Sequence, residues 1–434
     1  MKMPTSTILS KKLIKPSSPT PSTQKWHKLS LLDQAFSNIY IPFAFFYTKK
    51  QLDSVSIHPT QISHLLEDSL SKLLVSYYPY AGRLKDNTIV NCNDVGADFL
   101  RVEINIPISE ALQKHNNVIE EMVFPQDLPW SNGTNRGLVV AQLSYFNCGG
   151  IAISLCISHK VGDGHSNYNF FHDWAKLTRE PNGPKPVLQY VQESIFPPPI
   201  TGTPFLSPVC TSNKDDCIQR KFIFPIQKLN KLKSLVASTS NVQNPTRNEV
   251  VSALIFKCIV AAVKLLNSGK SFQPWIMSQS FDLRHQIDLP PNTIGNILTS
   301  TYISIASEKY MTLANIVTEM RKEKQRVSDR DNVEDNLFLK KLLELATEEK
   351  SFTKVQNNMC NFSSLVKFPV HEIDFGWGKP AKMNIANGLH NKVIFLVGNL
   401  SGGIDAFVSL SAKVMSGFEK DKELLEFATA VPTF

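Results

Sequence analysis

A proline-rich segment in the middle of the chain most constrains what this sequence can fold into. Eight prolines fall within the 35 residues from Pro181 to Asp215. Proline lacks the amide hydrogen that helices and central strands need, so this segment can form neither. We therefore predict a long crossover, centred on 196–212, that divides the 434 residues into two parts of ordinary domain size.

Both parts mix strand and helix patterns without regular alternation, which predicts mixed α/β domains. In the first part, the apolar runs Leu138–Phe146 and Ile151–Ser158 flank a turn with two glycines, as in a β-hairpin. In the second part, Thr246 and Glu249 have the spacing of a capping box for a helix that ends near Leu266. Two charged helices are expected at 312–327 and 333–349, followed by terminal strands.

The composition describes a globular protein with a large core. Apolar residues make up 42% of the chain and charged residues 19%. The net charge is +8, but the 46 basic residues are scattered, which indicates a solvated surface and no nucleic-acid partner. The seven cysteines share no CxxC spacing, which favours a reducing compartment.

No apolar run reaches the length of a membrane span, so no membrane partner is expected. The segment before Asp33 is free of acidic residues and rich in Ser, Thr and Lys, as transit peptides are. It has no arginine, and its prolines interrupt any amphipathic helix. We therefore expect the protein to be located in the cytosol. We also expect it to be a monomer.

The segment Ser158-His159-Lys160-Val161-Gly162-Asp163-Gly164 holds the first candidate site. His159 follows a strand and begins a turn flanked by glycines. A strand that holds a histidine rigidly at the start of a loop is a suitable position for a general base. Asp163 could orient the imidazole or brace the turn. Taken alone, this motif is more often a structural histidine beside an N-cap aspartate than a catalytic one.

The second candidate segment is Asp374-Phe375-Gly376-Trp377-Gly378. Alternating glycines and aromatic residues predict the end of a strand where the backbone passes close to other groups. Asp374 is predicted to be a buried ion-pair partner of Arg284. The Asp-Phe-Gly triplet does not indicate a kinase, because the chain has neither a glycine-rich phosphate loop nor an HRDxxxxN loop.

The sequence lacks the residues that several other catalytic mechanisms require. No GxSxG elbow is present, and Cys156 lies on the opposite strand face from His159, which argues against a thiol–imidazole pair. The cluster of His159, Asp163, His165 and His172 does not have the spacing of a helical zinc site, so no metal is expected.

The two motifs together resemble the BAHD acyltransferase family. Its members carry an HxxxDG motif and a DFGWG motif on a chain of this length. Here HxxxDG lies near residue 160, and DFGWG follows about 215 residues later. The resemblance runs through nearly the whole sequence, and it includes Leu29-Ser30-Leu31-Leu32-Asp33, Tyr78-Pro79-Tyr80-Ala81-Gly82-Arg83-Leu84, Asp282-Leu283-Arg284, Gly295-Asn296 and Gly402-Gly403. In shorter stretches of sequence, the chain is most similar to the family members that acetylate alkaloid alcohols.

This resemblance implies a fold of two chloramphenicol-acetyltransferase-like domains, each a mixed sheet with helices, with a channel between them. The expected division is 1–195 with a returning segment at 356–376, and 213–355 with 377–434.

The resemblance also implies an acyl-CoA co-substrate, most simply acetyl-CoA, and a small-molecule alcohol acceptor, with no permanently bound cofactor. His159 would be the general base, and Asp163 and Gly164 would support its loop. Structural roles are implied for Asp374, Gly376, Trp377, Gly378 and Arg284. Contacts to CoA are expected from Lys257, Ser363 and Ser364, although Ser364-Leu365-Val366-Lys367 departs from the family pattern.

Ile41, Phe43 and Phe45 share one face of a strand, and they are expected either to line the acceptor pocket or to be core. Apolar lining would suit a bulky alkaloid or terpenoid alcohol. Malonyl and aromatic acyl donors remain alternatives. Two other classes are a peptide-synthetase condensation domain, which usually has a second histidine where Ser158 stands, and a non-catalytic binding protein of the same fold.

Overall fold

The computed structural model describes residues 4–36, 39–86, 88–113, 117–125, 137–196, 217–267, 270–328, 358–386 and 391–431. Its strands are β1 (Ser6–Ile14), β2 (Trp26–Lys28), β3 (Tyr40–Tyr47), β4 (Arg83–Lys85), β5 (Ile89–Asn91), β6 (Ala97–Ile104), β7 (Val139–Phe146), β8 (Ile151–Ser158), β9 (Cys217–Phe224), β10 (Trp275–Asp282), β11 (Leu298–Ile305), β12 (Met359–Leu365), β13 (Lys382–Ile385), β14 (Val393–Gly398), β15 (Ile404–Ser411) and β16 (Thr429–Ala430). Its α-helices are α1 (Leu31–Ala35), α2 (Lys49–Ser54), α3 (Pro59–Ser76), α4 (Ile108–Gln113), α5 (Asn117–Met122), α6 (Gly164–Arg179), α7 (Gln192–Ile195), α8 (Ile226–Thr239), α9 (Arg247–Leu266), α10 (Leu313–Ser328), α11 (Ala412–Phe418) and α12 (Lys422–Phe427).

The first large sheet has six strands in the order β1-β6-β7-β8-β3-β13. Its centre is the predicted hairpin of β7 and β8, in which Gly149 supplies the positive φ of 90° that the turn requires. Every residue of β3 and β8 is buried, because both faces of the sheet are covered. A core of β3 and β8 side chains packs with α3 and α6 on one face.

The second large sheet has seven strands in the order β11-β10-β12-β14-β15-β9-β16. Its core packs against α9, whose predicted capping box is confirmed: Thr246 accepts the Glu249 amide, and Glu249 accepts the Thr246 amide at 2.7 Å. The helix predicted at 312–327 is α10. The prediction for 333–349, and nearly all of the crossover at 196–212, lie outside the described residues. A smaller sheet has the order β2-β5-β4.

The two large sheets meet along an apolar seam. Leu365, Val397 and Phe407 project from the second sheet into the hydrophobic core of the first. Strand β8 ends at this seam, so the residues that follow it can contact both halves of the molecule. None of the helices in the described part of the chain is long and apolar enough to cross a membrane.

The predicted returning segment at 356–376 begins too early. Strand β12 belongs to the second sheet, where it pairs in parallel with β10 and β14. The strand that joins the first sheet is β13, which pairs antiparallel with β3 at its edge. The prediction that residues 377–386 belong to the second domain is wrong as well, since they include β13. Both errors have one cause: an apolar strand pattern does not tell which of two sheets the strand will join.

Candidate active site

His159 is the first residue after β8, at the seam between the sheets. Its amide donates to the Ile39 carbonyl at 2.7 Å, which continues the pairing with the start of β3. Its ring is stacked on Phe36, with the centroids 4.3 Å apart and an interplanar angle of 6°. The buried strand and the stacked ring together fix the position of the partly buried imidazole.

Asn296 decides which ring nitrogen of His159 is available for chemistry. The Asn296 Nδ2 group donates to the His159 carbonyl at 2.7 Å, so the other end of the amide, Oδ1, faces the ring. Oδ1 lies 2.9 Å from His159 Nδ1. Because a carbonyl oxygen only accepts, Nδ1 must carry the hydrogen, which leaves Nε2 with its lone pair free. In the sequence, Gly295-Asn296 is part of the family resemblance, but no local pattern indicates this role for Asn296.

The surroundings of His159 favour its neutral form. Burial lowers the pKa of the imidazole, and this effect exceeds the opposing effects of the nearby Asp163 charge and the Asn296 hydrogen bond. A neutral imidazole with a free Nε2 can accept a proton. Accepting a proton in this way is what a general base must do.

Asp163 is a structural anchor, as the resemblance implies. It is 2% exposed and caps α6 by accepting the Ser166 amide at 2.9 Å, and it also accepts the Ile297 amide at 3.0 Å. Arg284 donates to its two oxygens at 2.8 and 3.1 Å. Burial alone would raise the pKa of Asp163, but the Arg284 charge and these hydrogen bonds lower it to about 2. Asp163 therefore stays ionised and does not transfer protons.

Gly164 begins α6 at the seam. A Cβ atom there would lie 3.5 Å from Leu365 Cδ2, which is an ordinary contact, so the position faces the second sheet closely. Its supporting role in the loop stays a prediction.

The predicted ion pair between Asp374 and Arg284 is wrong. Arg284 instead pairs with Asp163 and with Asp282, whose Oδ1 lies 3.1 Å from Nη1. The error has a physical cause. Charge and burial patterns show that a buried arginine needs a carboxylate, but they do not show which carboxylate the tertiary fold brings close.

Asp374 stabilises a turn, and no strand precedes it. Its Oδ1 accepts the amides of Gly376 and Gly378, both at 2.8 Å. Both glycines have positive φ, 114° and 95°, which a side chain would strain. Phe375 and Trp377 are stacked on each other at 5.7 Å and lie in the core of the first domain. The segment therefore joins that domain through its aromatic side chains.

We expect Asp374→Ala to destabilise the fold by about 1–3 kcal/mol, because two backbone amides lose a charged acceptor. Asp374→Asn is the matched control, since its Oδ1 can accept both amides and the loss should be small. Equilibrium unfolding in urea measures both. Because Asp374 and Arg284 share no partner, the losses from Asp374→Ala and Arg284→Ala should add, and strong non-additivity would contradict this assignment.

The residues proposed for the acceptor pocket lie beside the catalytic loop. Phe43 and Phe45 line a small apolar cavity at the seam, of about 10 Å³, which holds no more than a water molecule. Its other lining residues are Gly164, Tyr168, Phe171, Leu365 and Val370. Phe45 meets Phe171 edge to face at 4.9 Å. Ile41, on the same strand face, is 9% exposed and belongs to the surrounding core.

The residues predicted to contact CoA do not form one site. Lys257 is bonded to both oxygens of Glu423, at 2.8 and 2.6 Å, on helix α9. The β12 side chain of Phe362 points toward the α9 core, so Ser363 points to the opposite face, where its Oγ lies 3.3 Å from Ser280 Oγ. Ser364 is exposed. Lys257 and Ser363 therefore face different sides of the second sheet.

Comparison with known proteins identifies the family. A match to the Transferase family covers residues 5–425. The chain belongs to this family, the BAHD acyltransferases. It is 43% identical over 434 residues to "Acyltransferase Pun1" of Capsicum frutescens, with 97% of each chain covered. It is 33% identical over 452 residues to "Deacetylvindoline O-acetyltransferase" of Catharanthus roseus, again with 97% of each covered.

Comparison of the fold with solved structures supports the same family assignment. The crystal structure of vinorine synthase superimposes with a TM-score of 0.83 at 26% identity, covering 98% of each chain. The BAHD protein described here is thus an acyl-CoA-dependent acyltransferase with the two-domain fold of that family, and its relatives belong to plant specialised metabolism.

Proposed function

We propose that this protein transfers an acetyl group from acetyl-CoA to a hydroxyl group of a bulky, apolar specialised metabolite such as an alkaloid or terpenoid alcohol, with His159 as the general base. The observation that carries the proposal is the state of His159. Its Nδ1 is held by Asn296 at 2.9 Å, its Nε2 is free, and burial lowers its pKa. An alcohol is a poor nucleophile until a positioned base takes its proton.

The proton transfers of the reaction need only this base and the two substrates, while the tetrahedral oxyanion needs a hydrogen-bond donor as well. His159 Nε2 removes the proton of the acceptor hydroxyl while the hydroxyl oxygen bonds to the thioester carbonyl carbon. The tetrahedral intermediate then collapses, the carbon–sulfur bond breaks, and the ester is formed. The CoA thiolate leaves and receives the proton from the imidazolium, which restores the neutral histidine.

An apolar acceptor is supported by the chemistry of the residues around the small cavity beside Gly164, although that cavity must widen to admit a substrate. Its described lining is aromatic or aliphatic apart from Gly164 itself and the hydroxyl of Tyr168, with Phe43 and Phe45 on one wall and Leu365 on another. Apolar surface of this kind binds ring systems and alkyl groups through burial, and it offers little to a charged or heavily hydroxylated molecule.

An acetyl donor is supported by the name of the Catharanthus relative, which is an O-acetyltransferase. Malonyl-CoA and aromatic acyl-CoA esters are the competing donors. We propose a cytosolic monomer as the working form.

A donor competition tests this proposal. The enzyme is incubated with a plant metabolite extract and equal concentrations of acetyl-CoA, malonyl-CoA and benzoyl-CoA, and the products are identified by mass spectrometry. We expect products that gain one acetyl group on a hydroxyl of an apolar alcohol, and we expect none with His159→Ala. Products that carry malonyl or benzoyl groups instead would contradict the acetyl assignment while leaving the base in place.

A further inference from the structure

Asp33 is a buried carboxylate that the reaction itself does not use. It lies on helix α1, is 1% exposed, and accepts four hydrogen bonds. Its Oδ2 accepts the Ser30 amide at 3.0 Å and the Ser30 hydroxyl at 2.7 Å. Its Oδ1 accepts both the backbone amide and the Nδ2 group of Asn296, each at 2.8 Å. Asp33 therefore binds directly to the residue that contacts the catalytic histidine.

The charge on Asp33 restricts the orientation of Asn296. An ionised carboxylate only accepts hydrogen bonds, so the end of the Asn296 side chain that faces it must be the NH2 group. The His159 carbonyl, at 2.7 Å from the same Nδ2, imposes the same choice. Of the two, the bond to the carboxylate is charge-assisted and therefore the stronger. With Nδ2 held on this side, Oδ1 must face His159 Nδ1.

We propose that Asp33 is a positioning residue that, through Asn296, holds His159 in the tautomer with its hydrogen on Nδ1. The inference rests on the proposed function only in the statement that Nε2 is the base. Neutral histidine in water prefers the opposite tautomer, with the hydrogen on Nε2, in which Nε2 cannot accept a proton. The contact from Asp33 thus works against an intrinsic preference of the imidazole.

Helix α1 is held firmly enough for this role. Lys160, which is fully buried, donates to the Gln34 carbonyl at 2.9 Å, one residue after Asp33. Just beyond the helix, Phe36 is stacked on the His159 ring. The helix is therefore tied to the catalytic loop on both sides of the carboxylate.

The test measures the tautomer directly. The full-length enzyme is labelled with 15N-histidine, and the His159 signals are identified by their loss in His159→Ala. At a pH where the ring is neutral, two-bond correlations distinguish a protonated Nδ1 from a protonated Nε2. We expect wild type to show only the Nδ1–H form. In Asp33→Ala, which removes both bonds to Asn296, the Nε2–H form should appear, and kcat should fall by about 10- to 100-fold with the KM for acyl-CoA unchanged.

Two further variants separate positioning from general stability. Ser30→Ala removes a hydrogen bond to the same carboxylate and the cap of α1, but it leaves both bonds to Asn296. It should lower the melting temperature without changing the tautomer or kcat. If Asp33 acts through Asn296, the Asp33→Ala/Asn296→Ala double variant should lose no more kcat than Asn296→Ala alone.

The proposal is overturned if Asp33→Ala keeps the pure Nδ1–H tautomer, whether or not kcat falls. Should that variant not fold, Asp33→Glu moves the carboxylate by one methylene while keeping its charge. The same mixture of tautomers is expected there, and its absence would have the same meaning. The NMR result does not depend on catalysis, so a failure of His159 as the base would be seen separately, as activity that survives in His159→Ala.

Discussion

Replacing His159 with alanine is expected to lower kcat by about 10²- to 10⁴-fold, because the variant has no group to take the proton of the acceptor hydroxyl. Binding of acyl-CoA should persist, since the free Nε2 is assigned to the acceptor. Single-turnover assays measure the chemical step, and calorimetry measures CoA binding. Circular dichroism serves as the folding control. A correctly folded variant that keeps half of the wild-type rate would refute the mechanism.

The pH profile of wild type provides a second measurement on the same residue. The base must be neutral to act, and burial lowers the pKa of His159. The acid limb of kcat/KM reports the free enzyme, so its midpoint should lie below the ordinary imidazole value of about 6.5. A midpoint above that value would contradict the effect of burial. Asp163, with its pKa lowered to about 2, contributes nothing in this range.

Arg284→Ala should cost about 3–5 kcal/mol of folding free energy, since it leaves the Asp163 carboxylate buried without its cation. The two side chains are 4% and 2% exposed, so water cannot replace the lost partner. This cost is a large part of a typical stability of about 5–15 kcal/mol. Activity should fall as well, because Asp163 anchors the loop that carries His159. Urea unfolding followed by circular dichroism measures the loss.

Lys49→Ala is the matched control for this prediction. Lys49 forms an exposed i,i+4 pair with Asp53, in which the side chains are 58% and 60% exposed. Removing such a pair should change stability by only about 0.3–0.5 kcal/mol. If Arg284→Ala unfolded at the same urea concentration as Lys49→Ala, the pair with Asp163 would have little energetic importance.

The sequence was sufficient to predict the elements whose signals are local. The hairpin of β7 and β8 follows from two apolar runs around a glycine turn, and α9 follows from a capping box and an apolar face. The position of His159 follows from the same logic, since it is the first residue after β8. These predictions succeeded because strand length, turn chemistry and helix caps depend on residues only a few positions apart.

Contacts between distant parts of the chain were decided only by the tertiary structure. Arg284 pairs with Asp163, which is 121 residues away, and not with Asp374. Strand β13 joins the first sheet, and Asn296, 137 residues from His159, orients its ring. From the sequence one can infer that a buried charge or an unpaired strand edge needs a partner. Which partner it receives depends on how the two sheets meet at the seam, because packing brings together groups whose spacing along the chain carries no signal.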